Sequence, residues 1–328
     1  MVERAKVFVT RRLPEAGMAR MHEAAEVEIW PDELPPPYAV LQEKVQTVQG
    51  LVTLVTDPVD AALLAAGRGS LKVVSQMAGG VDNIDLAAAT ANGIPVGHTP
   101  GVVTGATADF TFALLLGAAR RIVEGADYVR AGKWKTWGPT LLMGQDVYGA
   151  ALGIVGFGRI GQAVAKRAMA FGMRIMYYDP TAGPDEGAPF GAVPVSLARL
   201  LSEADFVSLH VPLTAQTRHM IGAAELAQMK PNAILINVAR GAVVDSQALY
   251  HALRAGTINY AALDVTEPEP IPADHPLLTL PNCLIMPHMA SSTVVTRMRM
   301  AMMAAENLIA GLRGERLPQC ANPEVYGR

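Results

Sequence analysis

A chain of 328 residues that is 51% hydrophobic and 17% charged holds apolar material for two cored domains, which excludes a disordered protein. A formal net charge of −3 leaves no basic footprint for nucleic acid and no polybasic stretch for an anionic membrane. Two cysteines, Cys283 and Cys320, indicate neither a disulfide framework nor a zinc site, and Cys283 lies in a strand pattern that suits a core position. Small ligands are therefore the default partners and no metal is expected. Mixed charges at 1–6 run into a short strand pattern rather than a signal-peptide core, and the longest apolar stretch, 110–119, is too short to span a bilayer, so a cytoplasmic protein is expected.

In chain order, strand patterns at 6–10, 27–30, 51–55, 71–75 and 94–97 alternate with helix-compatible stretches, the βαβ signature of a parallel sheet. A mostly apolar stretch at 104–121 and a second at 123–131, closed by Gly132, read as a long helical crossing between domains. Strand patterns then recur at 152–156, 173–178, 205–210, 233–238, 260–263 and 283–286, six strands of a second doubly wound sheet. A final helix pattern at 292–312 is long enough to return to the first unit. The expected division is a discontinuous domain of residues 1–99 plus 288–328 and a dinucleotide-binding domain of residues 100–287 that includes the crossing helix. No short-period repeat interrupts this order, and the prolines at 35–37 make only a local stiff loop.

The most informative segment is 152–161, an apolar strand that enters Gly156-Phe157-Gly158-Arg159-Ile160-Gly161 and then a helix. In such a G-x-G-x-x-G turn the first glycine makes the bend, the second admits a pyrophosphate, and the third lets helix and strand pack closely. The next strand ends in Asp179, about where the fingerprint places an acid for ribose hydroxyls. This context on both sides makes a dinucleotide site a stronger reading than an ordinary βα turn.

Reduction of a carbonyl beside a carboxylate with a nicotinamide needs a cation for the carboxylate, a proton donor for the oxygen and a partner that tunes the donor. Arg240 follows the buried strand pattern at 233–238, where open α/β sheets hold ligands. Glu269 sits between Pro268 and Pro270, and His288 ends the last strand pattern. His210 also ends a strand and is the alternative catalytic histidine, although its position suits the adenine side of a dinucleotide. His251, in a helix pattern, and His275, before an apolar loop, look ordinary. Gly79 and Gly80, followed by Val81, end the fourth strand pattern, and paired glycines allow backbone N–H groups to approach a carboxylate; a plain turn is the alternative.

Four motifs in one order, Gly156 to Gly161, Asn237-Val238-Ala239-Arg240-Gly241, Asp264-Val265-Thr266-Glu267-Pro268-Glu269-Pro270 and Pro287-His288, resemble the D-isomer-specific 2-hydroxyacid dehydrogenase family over nearly the whole chain. His275-Pro276-Leu277-Leu278-Thr279-Leu280, with Trp134 and Trp137, is similar to its glyoxylate/hydroxypyruvate reductase branch. The resemblance implies two Rossmann-like doubly wound domains with the active site in the cleft between them, and an Arg240, Glu269, His288 catalytic set. It implies cofactor contacts from Gly156, Gly158, Arg159, Ile160, Gly161, Asp179, His210, Pro212, Thr217, Val238, Arg240, Asp264 and His288. Substrate contacts are implied for Leu54, Gly79, Gly80, Val81, Arg240, His288 and Ser291, and a homodimer through the crossing helix and the 134–137 arm. The implied reaction is NADH-dependent reduction of glyoxylate or hydroxypyruvate to the D-2-hydroxy acid.

Two departures stand out. Met289-Ala290-Ser291 replaces a more usual Ile-Gly-Ser, a mild change. Reductases of this branch often use NADPH, yet here an acid holds the ribose position and no Lys or Arg occurs from 180 to 198, so NADH is the expected cofactor over NADPH. Other readings are a dehydrogenase of larger 2-oxo acids or of 3-phosphoglycerate, although the chain leaves no room for a regulatory domain after the last helix pattern. An NAD-sensing corepressor-like protein is the reading from a different class, and its interaction tails find no counterpart here.

Overall fold

The computed structural model describes residues 4–327. The chain divides into two compact units, Met1–Val103 with Ser292–Arg328, and Thr104–Ser291.

The first unit runs β1 (Lys6–Val9), α1 (Glu15–Ala24), β2 (Glu26–Ile29), α2 (Tyr38–Val45), β3 (Gly50–Thr53), α3 (Ala61–Ala66), β4 (Val73–Gln76), α4 (Leu86–Ala91) and β5 (Val96–Gly97). The five strands are all parallel, in the order β2-β1-β3-β4-β5. Strand side chains alternate between faces. Val7 and Val9 accordingly pack with Met18 and Met21 of α1, while Phe8 packs with Leu41 and Val45 of α2. Asp60 and Asp85 start α3 and α4 by accepting the N–H groups of Leu63 and Ala88, each at 2.9 Å.

The second unit begins with the crossing helices α5 (Thr104–Ala119) and α6 (Ile122–Arg130), which break at Arg121 with φ +52°. There follow β6 (Ala151–Val155), α7 (Arg159–Ala170), β7 (Arg174–Tyr178), α8 (Pro184–Gly187), β8 (Val193–Pro194), α9 (Leu197–Glu203), β9 (Phe206–Leu209), α10 (Ala223–Leu226), β10 (Ile234–Asn237), α11 (Ser246–Ala255), β11 (Tyr260–Leu263) and β12 (Cys283–Ile285). The strands, again parallel, lie in the order β12-β11-β10-β9-β6-β7-β8. The sheet has seven strands, not the six expected. The extra one, β8, is a two-residue edge strand containing Pro194, which has no periodic pattern to read. The final helix, α12 (Val294–Leu312), belongs to the first unit and packs on α1, β3 and β4.

Both unit boundaries fall four residues beyond those expected, and for the second the cause is visible. His288, Met289 and Ala290 are bonded to Asp264 through their backbone N–H groups, which keeps the segment with β11 and β12. Among the described residues no helix is long and apolar enough to cross a membrane.

Candidate active site

In the second sheet the strand order reverses between β6 and β9, and ligands of open α/β sheets collect at the carboxyl ends flanking such a point. The glycine-rich turn lies there, and each glycine has a distinct steric reason. Gly156 has φ +91°, and a Cβ on it would sit 2.7 Å from the carbonyl carbon of His210. A Cβ on Gly161 would come within 2.3 Å of Gly156 O, whereas one on Gly158 would meet nothing within 4 Å. The open side of Gly158 is the space a pyrophosphate needs. Helix α7 starts at Gly158 with no side-chain cap, as α1, α2, α6 and α8 also do. Arg159 and Ile160 thus stand in the first turn, whose N–H groups have no intrahelical acceptor and suit an anion. These features fit a dinucleotide.

Asp179 ends β7. Its Oδ2 accepts Phe157 N–H at 2.8 Å, and its Oδ1 accepts Thr181 N–H at 2.8 Å and Thr181 Oγ1–H at 2.7 Å. Burial works to raise this carboxyl, but those bonds outweigh it and hold the group below the usual carboxylate range. The charge therefore persists at the position where ribose hydroxyls are expected.

On the other flank of the switch point, His210 follows β9. Its Nε2 is 2.8 Å from Ser208 Oγ, and its buried Nδ1 has no partner. Burial pushes its pKa down to about 3, which favours the neutral ring and weighs against it as the alternative catalytic histidine. Thr217 Oγ1 donates to Pro212 O at 2.6 Å, which closes the neighbouring loop on itself. His275 accepts Leu277 N–H at the start of a short turn, and His251 stacks edge-on against Tyr250, both structural roles.

Farther along the same sheet edge, Val238 and Arg240 leave β10. Asn237 fixes this exit: its Oδ1 accepts Ala239 N–H at 3.0 Å and its Nδ2 donates to Arg240 O at 2.9 Å. The following glycine is obligatory, since a Cβ on Gly241 would lie 1.9 Å from Thr266 O. That contact sets the Arg240 loop directly against the loop that carries Glu269. Glu267, in the same loop, accepts bonds from Arg218 Nη1 and engages His219 Nε2, both at 2.6 Å, and Ser246 Oγ donates to Glu267 O at 3.1 Å.

His288 Nδ1 lies 2.5 Å from Glu269 Oε1, with both side chains about one-third exposed. A carboxylate accepts only, so Nδ1–H donates and Nε2 is left for a substrate. Burial works to raise the Glu269 carboxyl, but His288, Thr266 N–H and the charge of Arg240 prevail and keep it below the ordinary glutamate range. His288 itself is at φ +52°, a conformation that non-glycine residues adopt mainly where the surroundings impose it. What imposes it is Asp264, which is buried. Its backbone O accepts His288 N–H at 2.9 Å, and its two carboxylate oxygens accept the N–H groups of Met289 and Ala290 at 2.7 and 2.8 Å. Burial raises this carboxyl beyond what those bonds offset. The structure thus gives Asp264 an anchoring duty that its place in the motif does not announce.

The first unit carries Leu54, at the exit of β3, and Gly79, Gly80 and Val81, after β4. Ser291 is the last residue of the second unit. Trp134 and Trp137 are 58% and 78% exposed, near the exposed Ile122, Val123 and Val129 of α6 in sequence. Cys283 and Cys320 are both free, and burial pushes the Cys283 thiol up to about 12, where it is inert. No group of three or more His, Cys, Asp or Glu among the described residues is placed to hold a metal ion.

Residues 112–290 match the model of the D-isomer specific 2-hydroxyacid dehydrogenase, NAD binding domain. The chain is 54% identical over 321 residues to the glyoxylate reductase of Korarchaeum cryptofilum, covering 98% of this chain and 96% of that one. The TT0316 protein of Thermus thermophilus superposes with a TM-score of 0.90 at 50% identity, covering 96% of this chain and 99% of that chain. The NADPH-dependent glyoxylate/hydroxypyruvate reductase of Sinorhizobium meliloti, solved with NADP and malonate, has a TM-score of 0.87 at 32% identity, covering 98% of both chains. Sequence, coverage and fold agree, and the chain belongs to the D-isomer-specific 2-hydroxyacid dehydrogenase family.

Proposed function

We propose that this chain reduces a small 2-oxo acid, glyoxylate or hydroxypyruvate, to the D-2-hydroxy acid with NADH. The observation that carries the reading is the 2.5 Å His288–Glu269 pair, on loops of the same sheet edge as the glycine turn. A chain 54% identical to a glyoxylate reductase supplies the substrate class. Gly156, Gly158, Gly161, Asp179 and the first turn of α7 would hold the dinucleotide, which supplies hydride when bound. Arg240 provides the cation for the substrate carboxylate, and the N–H groups of Gly79, Gly80 and Val81 provide donors for it. His288 gives its Nε2 proton to the substrate oxygen, while the Glu269 carboxylate holds the ring by its Nδ1–H. Asp179, with no Lys or Arg from 180 to 198, favours NADH over NADPH.

The test is NADH and NADPH oxidation across a panel of 2-oxo acids that includes glyoxylate, hydroxypyruvate, larger acids and 3-phosphohydroxypyruvate. Fastest turnover of glyoxylate or hydroxypyruvate with NADH is the expected result. Turnover only of a larger or phosphorylated acid would move the chain to another branch, and NADH binding without turnover of any acid would favour a sensor. We further propose a homodimer through α5, α6 and the 134–137 arm, because two exposed tryptophans leave a large aromatic surface wet. Light scattering at micromolar concentration that gives a mass near the 34.7 kDa of one chain would refute it.

A further inference from the structure

The carboxyl edge of the first sheet holds buried polar groups that the proposed chemistry does not use. Gln76 ends β4 and is fully buried, as are Thr53 at the end of β3 and Asp57 after it. Gln76 and Asn83 exchange amide hydrogen bonds, Gln76 Nε2 donating to Asn83 Oδ1 at 2.8 Å and Asn83 Nδ2 to Gln76 Oε1 at 2.9 Å. Each amide also holds backbone. Gln76 Nε2 donates to Gly80 O at 2.7 Å, and Asn83 Nδ2 donates to Asp57 O at 2.7 Å and Leu54 O at 3.1 Å. Thr53 Oγ1 donates to Gln76 Oε1 at 3.2 Å, which fixes which end of the amide faces which partner.

Three consecutive carbonyls are engaged here. Ala78 O accepts Thr99 N–H at 2.8 Å, Gly79 O accepts His98 Nδ1–H at 3.1 Å, and Gly80 O accepts Gln76 Nε2–H. In a trans peptide the C=O and the N–H of the next residue point in opposite directions. Turning these three carbonyls toward the protein therefore turns the N–H groups of Gly79, Gly80 and Val81 away from it. None of the three has a protein acceptor among the described residues. Three successive N–H groups without a protein acceptor suit an anion.

We infer that Gln76 and Asn83 are positioning residues for the oxo-acid carboxylate: the pair orients the N–H groups at 79–81 and so sets affinity for substrate without touching it. The inference rests on the reading of that loop as a carboxylate clamp. A pair that merely filled the core would affect stability and leave substrate affinity alone.

Gln76→Met keeps length and burial but removes the bonds to Gly80 and Asn83, and Asn83→Ala is a second, harsher variant. With NADH saturating, KM for glyoxylate should rise roughly tenfold or more, the scale of one hydrogen bond to a charged group. At saturating glyoxylate kcat should stay within about threefold, and Kd for NADH should not move. Calorimetry with oxalate, a dicarboxylate that cannot be reduced, in the presence of NADH should show a loss of affinity matching the rise in KM. Unchanged KM and oxalate affinity with a lowered Tm would overturn the inference, as would a fall in kcat with KM unmoved. A wild type that binds oxalate but turns over no 2-oxo acid would sink only the enzymatic reading. A wild type that binds no oxalate would sink the clamp and the positioning pair together.

Discussion

The two sheets end in polar clusters of opposite character. In the second unit, His288 and Glu269 form a charged pair, one-third exposed, on loops, with the histidine held at a positive φ. In the first unit, Gln76 is neutral, fully buried and bonded to backbone and side chains through both ends of its amide. Physical chemistry separates the two duties. A group that gives up a proton must reach substrate and solvent, and an exposed ion pair adds only about 0–1 kcal/mol of stability, which suits the role proposed for the His288–Glu269 pair. A neutral amide holds backbone in place at every pH, and a satisfied amide network is rigid without the desolvation cost of buried ions.

The hardest test of this contrast removes the proposed proton donor. His288→Ala should lower kcat by about 10²–10⁴, the usual range for a positioned acid, and leave NADH affinity unchanged. His288→Asn is the companion variant, because asparagine tolerates the left-handed conformation better than alanine. Loss of activity in both with NADH binding intact assigns the effect to the imidazole; loss of NADH binding as well would mean that the segment 288–290 has come away from Asp264.

Residues that break a pattern are legible in the sequence, and residues that complete one are not. The glycines of 156–161, Asp179, Arg240 and His288 interrupt or end apolar runs, which singles them out, whereas Glu269 stands in an acidic, proline-stiffened loop and is picked out by the family resemblance. The α5–α6 crossing and the return of α12 follow from helical patterns too long to be loops. Gln76 and Asn83 give no signal, since a buried amide is recognised by its partners, and Leu54 and Asp57 are brought to them only by the packing of neighbouring strand exits. The motif around Asp264 suggests a cofactor contact, whereas its bonds to the 288–290 segment depend on β11 and β12 being neighbours. Gly241 belongs to a recognised motif, yet its reason, the 1.9 Å approach of a Cβ to Thr266 O, exists only in three dimensions.

Asp179 lies between the two characters: charged, yet tied to backbone like the amides. A 2′-phosphate would meet its carboxylate with no Lys or Arg from 180 to 198 to offset the repulsion. NADH should therefore exceed NADPH in kcat/KM by about tenfold or more, since about 1.4 kcal/mol of like-charge cost is enough. Asp179→Ala should narrow that ratio, and because Phe157 N–H loses its acceptor it should also weaken NADH itself. Equal or greater kcat/KM with NADPH in the wild type would show that the carboxylate does not face the ribose.

The finest test separates charge from scaffold by pH. The proposed chemistry takes its proton from His288, whose Nδ1 lies 2.5 Å from Glu269. Glu269 stays ionised because the bond from His288 helps outweigh burial and its carboxyl is held below the ordinary range. Glu269→Gln keeps the shape and removes the charge, so the alkaline limb of the pH–rate profile should move to lower pH. Gln76→Met should leave that limb where it is, since no titrating group is lost. A limb unmoved in the Gln variant would strip Glu269 of its tuning role, and a limb moved equally in both variants would mean that the charged pair and the amide network are not separable devices.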